Sequence, residues 1–182
     1  MFKSLNIIDD SHKVLRQVSK EVTFPLDEKD KKTIDHIIEH LTLSQIEEEA
    51  EKYDLRPGMG LAFVQLGILK RIIVIVDEYE EGKFKNYVVC NPKIVSNSTE
   101  IIAAEAGEGC LSVNREIEGH VPRYARVTIE GYDVDGNKIK IRAREEVSIA
   151  FQHEIDHLNG ILFYDRIDKK KPFYSENEIR LI

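Results

Sequence analysis

Gln152-His153-Glu154-Ile155-Asp156-His157-Leu158-Asn159-Gly160 is the stretch from which the fold is read. It contains H-E-x-x-H. On a helix, residues four apart lie one above the other, so both imidazoles can reach one metal ion. Glu154 is then placed to act as a base on water held by that ion. The pattern around it is helical: Ala150, His153, Glu154, His157 and Ile161 share one arc, and Phe151, Ile155, Leu158 and Leu162 share a neighbouring arc that faces a core. Glu145 and Glu146 suit a first turn, where the macrodipole favours negative charge. Gly160 suits a C-terminal stop, because it accepts positive φ without strain.

Length and charge narrow the setting. The 182 residues suit one domain, residues 1–182. With 42% hydrophobic and 32% charged residues, a packed core is feasible and wholesale disorder is not expected. A formal net charge of −7 argues against an extended nucleic-acid surface. Two cysteines are too few for a disulfide framework. The first ten residues lack the apolar run and cleavage site of a signal peptide, and no stretch of about 18 apolar residues exists to span a membrane. The default is a soluble protein in the reducing cytoplasm.

From the N-terminal end, Ser11 to Lys20 reads as a short helix capped by Ser11, with Val14, Leu15 and Val18 on one side. Asp27 to Tyr53 reads as one longer amphipathic helix with Ile34, Ile37, Ile38, Leu41 and Ile46 as its apolar side. Its Glu47-Glu48-Glu49 run is a solvated face. The same helix spells H-x-x-E-H at His36-Ile37-Ile38-Glu39-His40, but both histidines fall opposite the isoleucine stripe and are read as solvent-facing. Arg71 to Asp77 is a β-branched run and reads as a buried strand. Phe84 to Cys90 returns as a second strand, Asn91-Pro92 breaks it, and Lys93 to Val95 resumes. Thr99 to Ala104 is a short strand. Ala125 to Asp133 and Lys138 to Ala143 flank a hairpin turn at Asp135-Gly136-Asn137. From Asp168 onward the polar, lysine-rich tail reads as loosely held. The fold class is α+β: a single domain of antiparallel or mixed sheets packed around a central helix that carries H-E-x-x-H.

Between the long helix and the first strand lies Gly58-Met59-Gly60-Leu61-Ala62-Phe63-Val64-Gln65. Its paired glycines let a backbone come close to something. A phosphate loop lacks its Lys-Ser/Thr ending here. A plain turn and a strand rim open to an extended peptide both remain. A catalytic metal usually takes three protein ligands, so a third is needed beside His153 and His157. Cys110, Cys90, Asp156 and Glu108 are the candidates. Cys110 ranks first, since its glycine-flanked segment lets the sulfur be aimed. Cys90 sits in an apolar strand, where a buried inert thiol is the ordinary outcome, and Asp156 points away from the histidine face.

Three blocks together resemble the peptide deformylases. Gly58 to Gln65 resembles G-x-G-x-A-A-x-Q, Glu108-Gly109-Cys110-Leu111-Ser112 matches E-G-C-L-S, and Gln152 to His157 matches Q-H-E-x-D-H. Val14-Leu15-Arg16, Asn91-Pro92 and Val121-Pro122-Arg123 extend the likeness over nearly the whole chain. The long helix before Arg56-Pro57-Gly58, and Val113 after Ser112, resemble the longer bacterial subclass. The departure is Phe63-Val64, a bulky pair beside the retained Gln65. It touches neither ligands nor base.

The resemblance implies hydrolysis of the formyl group from the formylmethionine end of nascent polypeptides, with release of formate. It implies Cys110, His153 and His157 as ligands of one divalent ion, natively Fe2+, with Zn2+, Ni2+ or Co2+ as substitutes. A water on that ion would attack the formyl carbonyl with Glu154 as general base. The Gln65 side chain and the Leu111 N–H would meet the oxyanion. Ile149 and Ala150 would line the methionine slot, and the backbones of Met59, Gly60 and Gly109 would hold the peptide extended. Glu108 and Arg123 are either an ion pair bracing the cysteine loop or two separate surface charges. Transient ribosome association follows from the substrate rather than from any basic face; oligomeric state is not in the sequence.

Two rivals stand beside this reading. A zinc endopeptidase takes its third ligand after the second histidine, where only Asp165 and Asp168 are available, and leaves the Cys110 block unexplained. A structural zinc module, or a relative that binds formyl peptides without cleaving them, leaves Glu154 and Gln65 without a purpose.

Overall fold

The fold is that of a computed structural model, which describes residues 2–182. Among these residues are three α-helices, α1 (Glu28–Ser44), α2 (Glu47–Tyr53) and α3 (Glu145–Leu158). There are eight strands: β1 (Gly60–Ala62), β2 (Ile72–Glu80), β3 (Lys83–Asn97), β4 (Ile101–Ala103), β5 (Arg123–Tyr124), β6 (Arg126–Tyr132), β7 (Lys138–Arg144) and β8 (Arg180–Leu181). A five-stranded antiparallel sheet runs β1-β2-β3-β6-β7. A smaller sheet runs β5-β4-β8, with β4 and β8 parallel. The class is α+β with mixed pairing, as the motif order predicts.

The β-branched run of β2 is apolar throughout because both its faces are covered. Strand side chains alternate between faces. Ile73 and Ile75 join Phe151, Ile155 and Leu158 of α3 in one core, while Ile72, Val74 and Val76 join Ile34, Ile37 and Leu41 of α1 in another. Helix α3 is therefore held by apolar packing along its length. Complete burial of Phe151 contributes about 2–3 kcal/mol. Phe63 and Val64 are both fully buried, and they point into these two opposite cores, Phe63 toward α1 and Val64 toward α3. The bulky pair thus serves packing on either side of the sheet.

Several expectations are corrected. Ser11 to Lys20 is not a helix. A single 3-10 turn spans Lys13–Arg16, capped by His12 rather than Ser11, and Val18 is 65% exposed. Tertiary bonds take this segment instead: Ser19 N–H donates to the Leu158 carbonyl, and Lys20 bridges to Lys70. The long helix is two. α1 ends at Ser44, where the Gln45 side chain donates to the carbonyls of Gly58 and Val76, tying the helix end to β2. Asn91-Pro92 does not break the second strand. β3 runs through them with Asn91 at φ 50° and a register shift between Cys90 and Lys93. Of the H-x-x-E-H pair, His40 is buried, not solvent-facing. Its Nδ1 accepts from the Leu5 N–H at 3.3 Å, so the N-terminal segment covers the helix face that the isoleucine stripe leaves open. The tail is not loose either. β8 pairs with β4, placing Arg180 opposite Ile102 and Leu181 opposite Ala103. No helix among the described residues is long and apolar enough to cross a membrane.

Candidate metal centre and active site

Helix α3 follows β7 without a loop, and the Glu145 N–H donates to the Ala125 carbonyl. The rotation of α3 is then fixed by two side chains of the Q-H-E-x-D-H block. The Gln152 amide pairs with both backbone groups of Tyr124, accepting from its N–H at 3.0 Å and donating to its carbonyl at 2.9 Å. Asp156, one turn on, accepts from Arg123 at 2.6 Å and from Arg166 at 2.6 Å. Both anchors lie on the β5 side, so His153, Glu154 and His157 turn toward the loop that carries Cys110.

That loop meets them. Ligand atoms of Cys110, His153 and His157 lie within 4.8 Å of one another, and Cys110 Sγ is 3.3 Å from His157 Nε2. His153 Nδ1 is 2.8 Å from Glu108 Oε2, which leaves its other ring nitrogen for the cluster. One thiolate and two imidazoles are borderline-soft donors that suit Zn, Fe, Co or Ni. An outward carboxylate on a ligating histidine is the usual support for such a ligand. The donor set therefore fits a divalent ion. Asp156, bound to two arginines, is outside the cluster. Cys90 is fully buried in the core between β2 and α1, and burial pushes its thiol up to about 12.

Glu108 and Arg123 are an ion pair. Arg123 donates to both Glu108 oxygens, at 2.7 and 2.9 Å, while also holding Asp156. Burial alone would raise the Glu108 carboxyl; hydrogen bonds from His153 and Arg123 outweigh it and hold the group at about 2. The Glu154 carboxyl is buried too, and burial pushes it up to about 7. Its Oε2 is buried with no hydrogen-bond partner within the chain.

The paired glycines have distinct reasons. A Cβ on Gly60 would sit 2.6 Å from Glu154 Oε1, and one on Gly58 would sit 2.7 Å from Leu111 Cδ1. The backbone approach read from the sequence is an approach to the carboxylate and to the cysteine loop. Gln65, at the end of the block, is buried. Its Oε1 accepts from the Ala62 N–H at 2.8 Å, and its Nε2 faces Ser112 Oγ at 3.1 Å and Cys110 Sγ at 3.7 Å. A cavity of about 400 Å³ opens here. Met59, Gly60, Gln65, Gly109, Cys110, Leu111, Ile149, Ala150, His153 and Glu154 all line it, and His157 lies beneath. A larger cavity of about 760 Å³, on the far face of the sheet by Lys93, Glu130 and Lys138, holds none of these residues.

Sequence reasoning gave no role to Arg56 or Ile182. Arg56 donates to the carbonyls of Cys110 and Val113, at 2.8 and 3.1 Å, and to Asn114 Oδ1 at 2.6 Å, and so braces the cysteine loop from outside. Ile182 lines the cavity from the far end of the chain. Neither carries a local signal, since each acts across a long sequence separation.

A mixed α+β fold whose central helix and facing loop bring together three side chains able to hold a metal ion, beside a buried glutamate with one unpartnered oxygen, is a candidate metallohydrolase architecture. The chain belongs to the polypeptide deformylase family, whose model matches residues 4–173. It is 48% identical over 177 residues to peptide deformylase 2 of Bacillus subtilis, covering 97% of this chain and 96% of that one. It is 47% identical over 174 residues to the peptide deformylase of Listeria monocytogenes, covering 96% and 95%. Among solved structures, the peptide deformylase of Thermotoga maritima aligns with a TM-score of 0.72 at 33% identity, over 91% of this chain and 99% of that one. That of Plasmodium falciparum aligns with a TM-score of 0.74 at 34% identity, over 91% and 87%. The chain is accordingly an enzyme of the deformylase class.

Proposed function

We propose that this chain removes the formyl group from the formylmethionine end of nascent polypeptides, releasing formate, and that residues 1–182 form one catalytic domain for it. Cys110, His153 and His157 would hold one divalent ion, natively Fe2+, with Zn2+, Ni2+ or Co2+ as replacements. Such an ion polarises a carbonyl and lowers the pKa of water toward neutrality.

The chain's own residues supply the rest. Glu154 takes the proton of the attacking water and passes it to the leaving amine. Glu154 lines the same cavity as Cys110 and Gln65, and one of its carboxyl oxygens has no partner within the chain, so it can reach a water there. The Gln65 amide nitrogen, fixed through its own carbonyl oxygen on Ala62 N–H, and the Leu111 N–H meet the developing oxyanion. One such donor is typically worth about 3 kcal/mol. β1 is the first strand of its sheet and, among the described residues, pairs with β2 alone. Its outer edge at Gly60 suits an extended peptide, with the Met59 backbone, whose carbonyl accepts from the Val76 N–H, before it and Gly109 on the same cavity wall. Ile149 and Ala150, apolar and on the cavity wall, suit the methionine side chain. Because its substrate emerges from ribosomes, we place the enzyme in the cytoplasm in transient association with them.

The observation that carries this reading is the convergence of Cys110, His153 and His157 beside Glu154. The test is formate release by iron- or nickel-loaded protein from a formyl-Met peptide, against acetyl-Met and unmodified controls. Glu154→Ala should retain metal and lose at least about 10²-fold in kcat. Unchanged activity in that variant would exclude the mechanism, and cleavage of the acetylated or unmodified control would favour a peptidase.

A further inference from the structure

Strand β8 leads to the cleft, and the residue after it, Ile182, reaches the wall. Ile182 lines the same cavity as Ala150, Glu154 and Cys110, and it packs with Ile149 and Ala104 against buried Ile102 and Ala125. Its backbone is held on both sides: the Ile182 N–H donates to the Ala103 carbonyl at 3.0 Å, and the Glu105 N–H donates to the Ile182 carbonyl at 2.8 Å. Arg180, two residues earlier, donates to both oxygens of Glu145 at 2.7 and 2.8 Å and to Glu100 at 2.9 Å. Glu145 is the first residue of α3, the helix that carries Ile149, Ala150 and Glu154. The strand is thereby tied to the helix that bears the reacting groups.

We propose that Ile182 is a specificity residue, closing the apolar end of the cleft beside Ile149 and limiting the size of the substrate side chain admitted there. Arg180 is its positioning residue. This inference rests on the deformylase reading above and assigns part of the selectivity to Ile182, just after β8 and outside every motif of the site. An apolar wall discriminates among side chains by roughly 10–200-fold for a single methylene, so shortening isoleucine to alanine should be easily read.

The experiment measures formate release by the metal-loaded full chain from formyl-Met-Ala-Ser and formyl-Phe-Ala-Ser. Ile182→Ala should raise the ratio of kcat/KM for the Phe peptide over the Met peptide about tenfold. Ile182→Phe should lower that ratio. Arg180→Ala should shift it in the same direction as Ile182→Ala, but less, because the two backbone hydrogen bonds of Ile182 remain. A ratio unchanged in both Ile182 variants, or equal losses on both peptides, would overturn the proposal. A parent that releases formate from neither peptide would instead count against the deformylase reading. In that case the relative Kd of Met-Ala-Ser and Phe-Ala-Ser, measured by calorimetry on parent and Ile182→Ala, tests Ile182 by the same expected shift in ratio.

Discussion

Glu108 Oε2 lies 2.8 Å from His153 Nδ1, and the same carboxylate receives two hydrogen bonds from Arg123. The carboxylate thus fixes which ring nitrogen of His153 faces Cys110 and keeps that nitrogen a good donor to an ion. Glu108→Gln keeps the volume and removes the charge. It should weaken binding of a divalent ion by about 10–100-fold, measured by competition with a chromogenic chelator. Affinity equal to the parent's would mean that Glu108 serves only to hold Arg123.

Gly60 has no room for a side chain, because Glu154 Oε1 occupies the space. The obstacle is the Glu154 side chain, whose Cγ would lie 2.9 Å away as well as its carboxylate, rather than backbone, so Gly60→Ala should fold while displacing the carboxylate. We expect kcat to fall by more than about tenfold, since a misplacement near 1 Å costs up to 10²-fold, with metal content and melting temperature close to the parent's. Full activity would mean that the carboxylate has slack in its position.

The two cysteines should separate by reactivity once the ion is removed. Burial pushes the Cys90 thiol up to about 12. A raised thiol pKa favours the protonated, unreactive form at pH 8. Cys110 lines the open cavity. Chelator-treated native protein at pH 8 should therefore take up one equivalent of a thiol reagent, and Cys110→Ser none. A second equivalent should appear only on denaturation. Two fast equivalents in the native parent would contradict the buried strand position of Cys90.

Arg123 joins two buried carboxylates, Glu108 and Asp156, with its own side chain 2% exposed. Arg123→Ala leaves both acids short of a partner and should destabilise the fold by about 3–5 kcal/mol, read from the denaturant midpoint. Lysine cannot reproduce the two-sided fork, so Arg123→Lys should recover only part of the loss. A midpoint within error of the parent's would show that His153 and Arg166 suffice for these acids.

Much of the site was legible because it lies in short contiguous blocks. H-E-x-x-H places its imidazoles on one helix face by periodicity alone, and Gly109 and Ser112 around Cys110 mark a loop. Errors arose where a local pattern competed with distant partners. Ser11 to Lys20 has a helical pattern, yet Ser19 bonds to Leu158 and Lys20 to Lys70. His40 reads as exposed from the helix alone, but the chain at Leu5 covers it. Asn91-Pro92 reads as a break, although one residue at positive φ and a register shift let β3 continue.

The sequence by itself determined which reactive groups the chain carries. It supplied two imidazoles at helical spacing, a carboxylate between them, one loop thiol, and an apolar β-branched run able to be covered on both faces. Only the tertiary structure decided how these groups are aimed. Gln152 on Tyr124, Asp156 on Arg123, and Glu108 on His153 set the rotation of α3 and the orientation of its rings, while β8 brings Ile182 to the cleft. The physical reason is range. Helical and strand periodicities are local consequences of backbone geometry, whereas ion pairs and pocket walls join residues that come together only after the chain has folded.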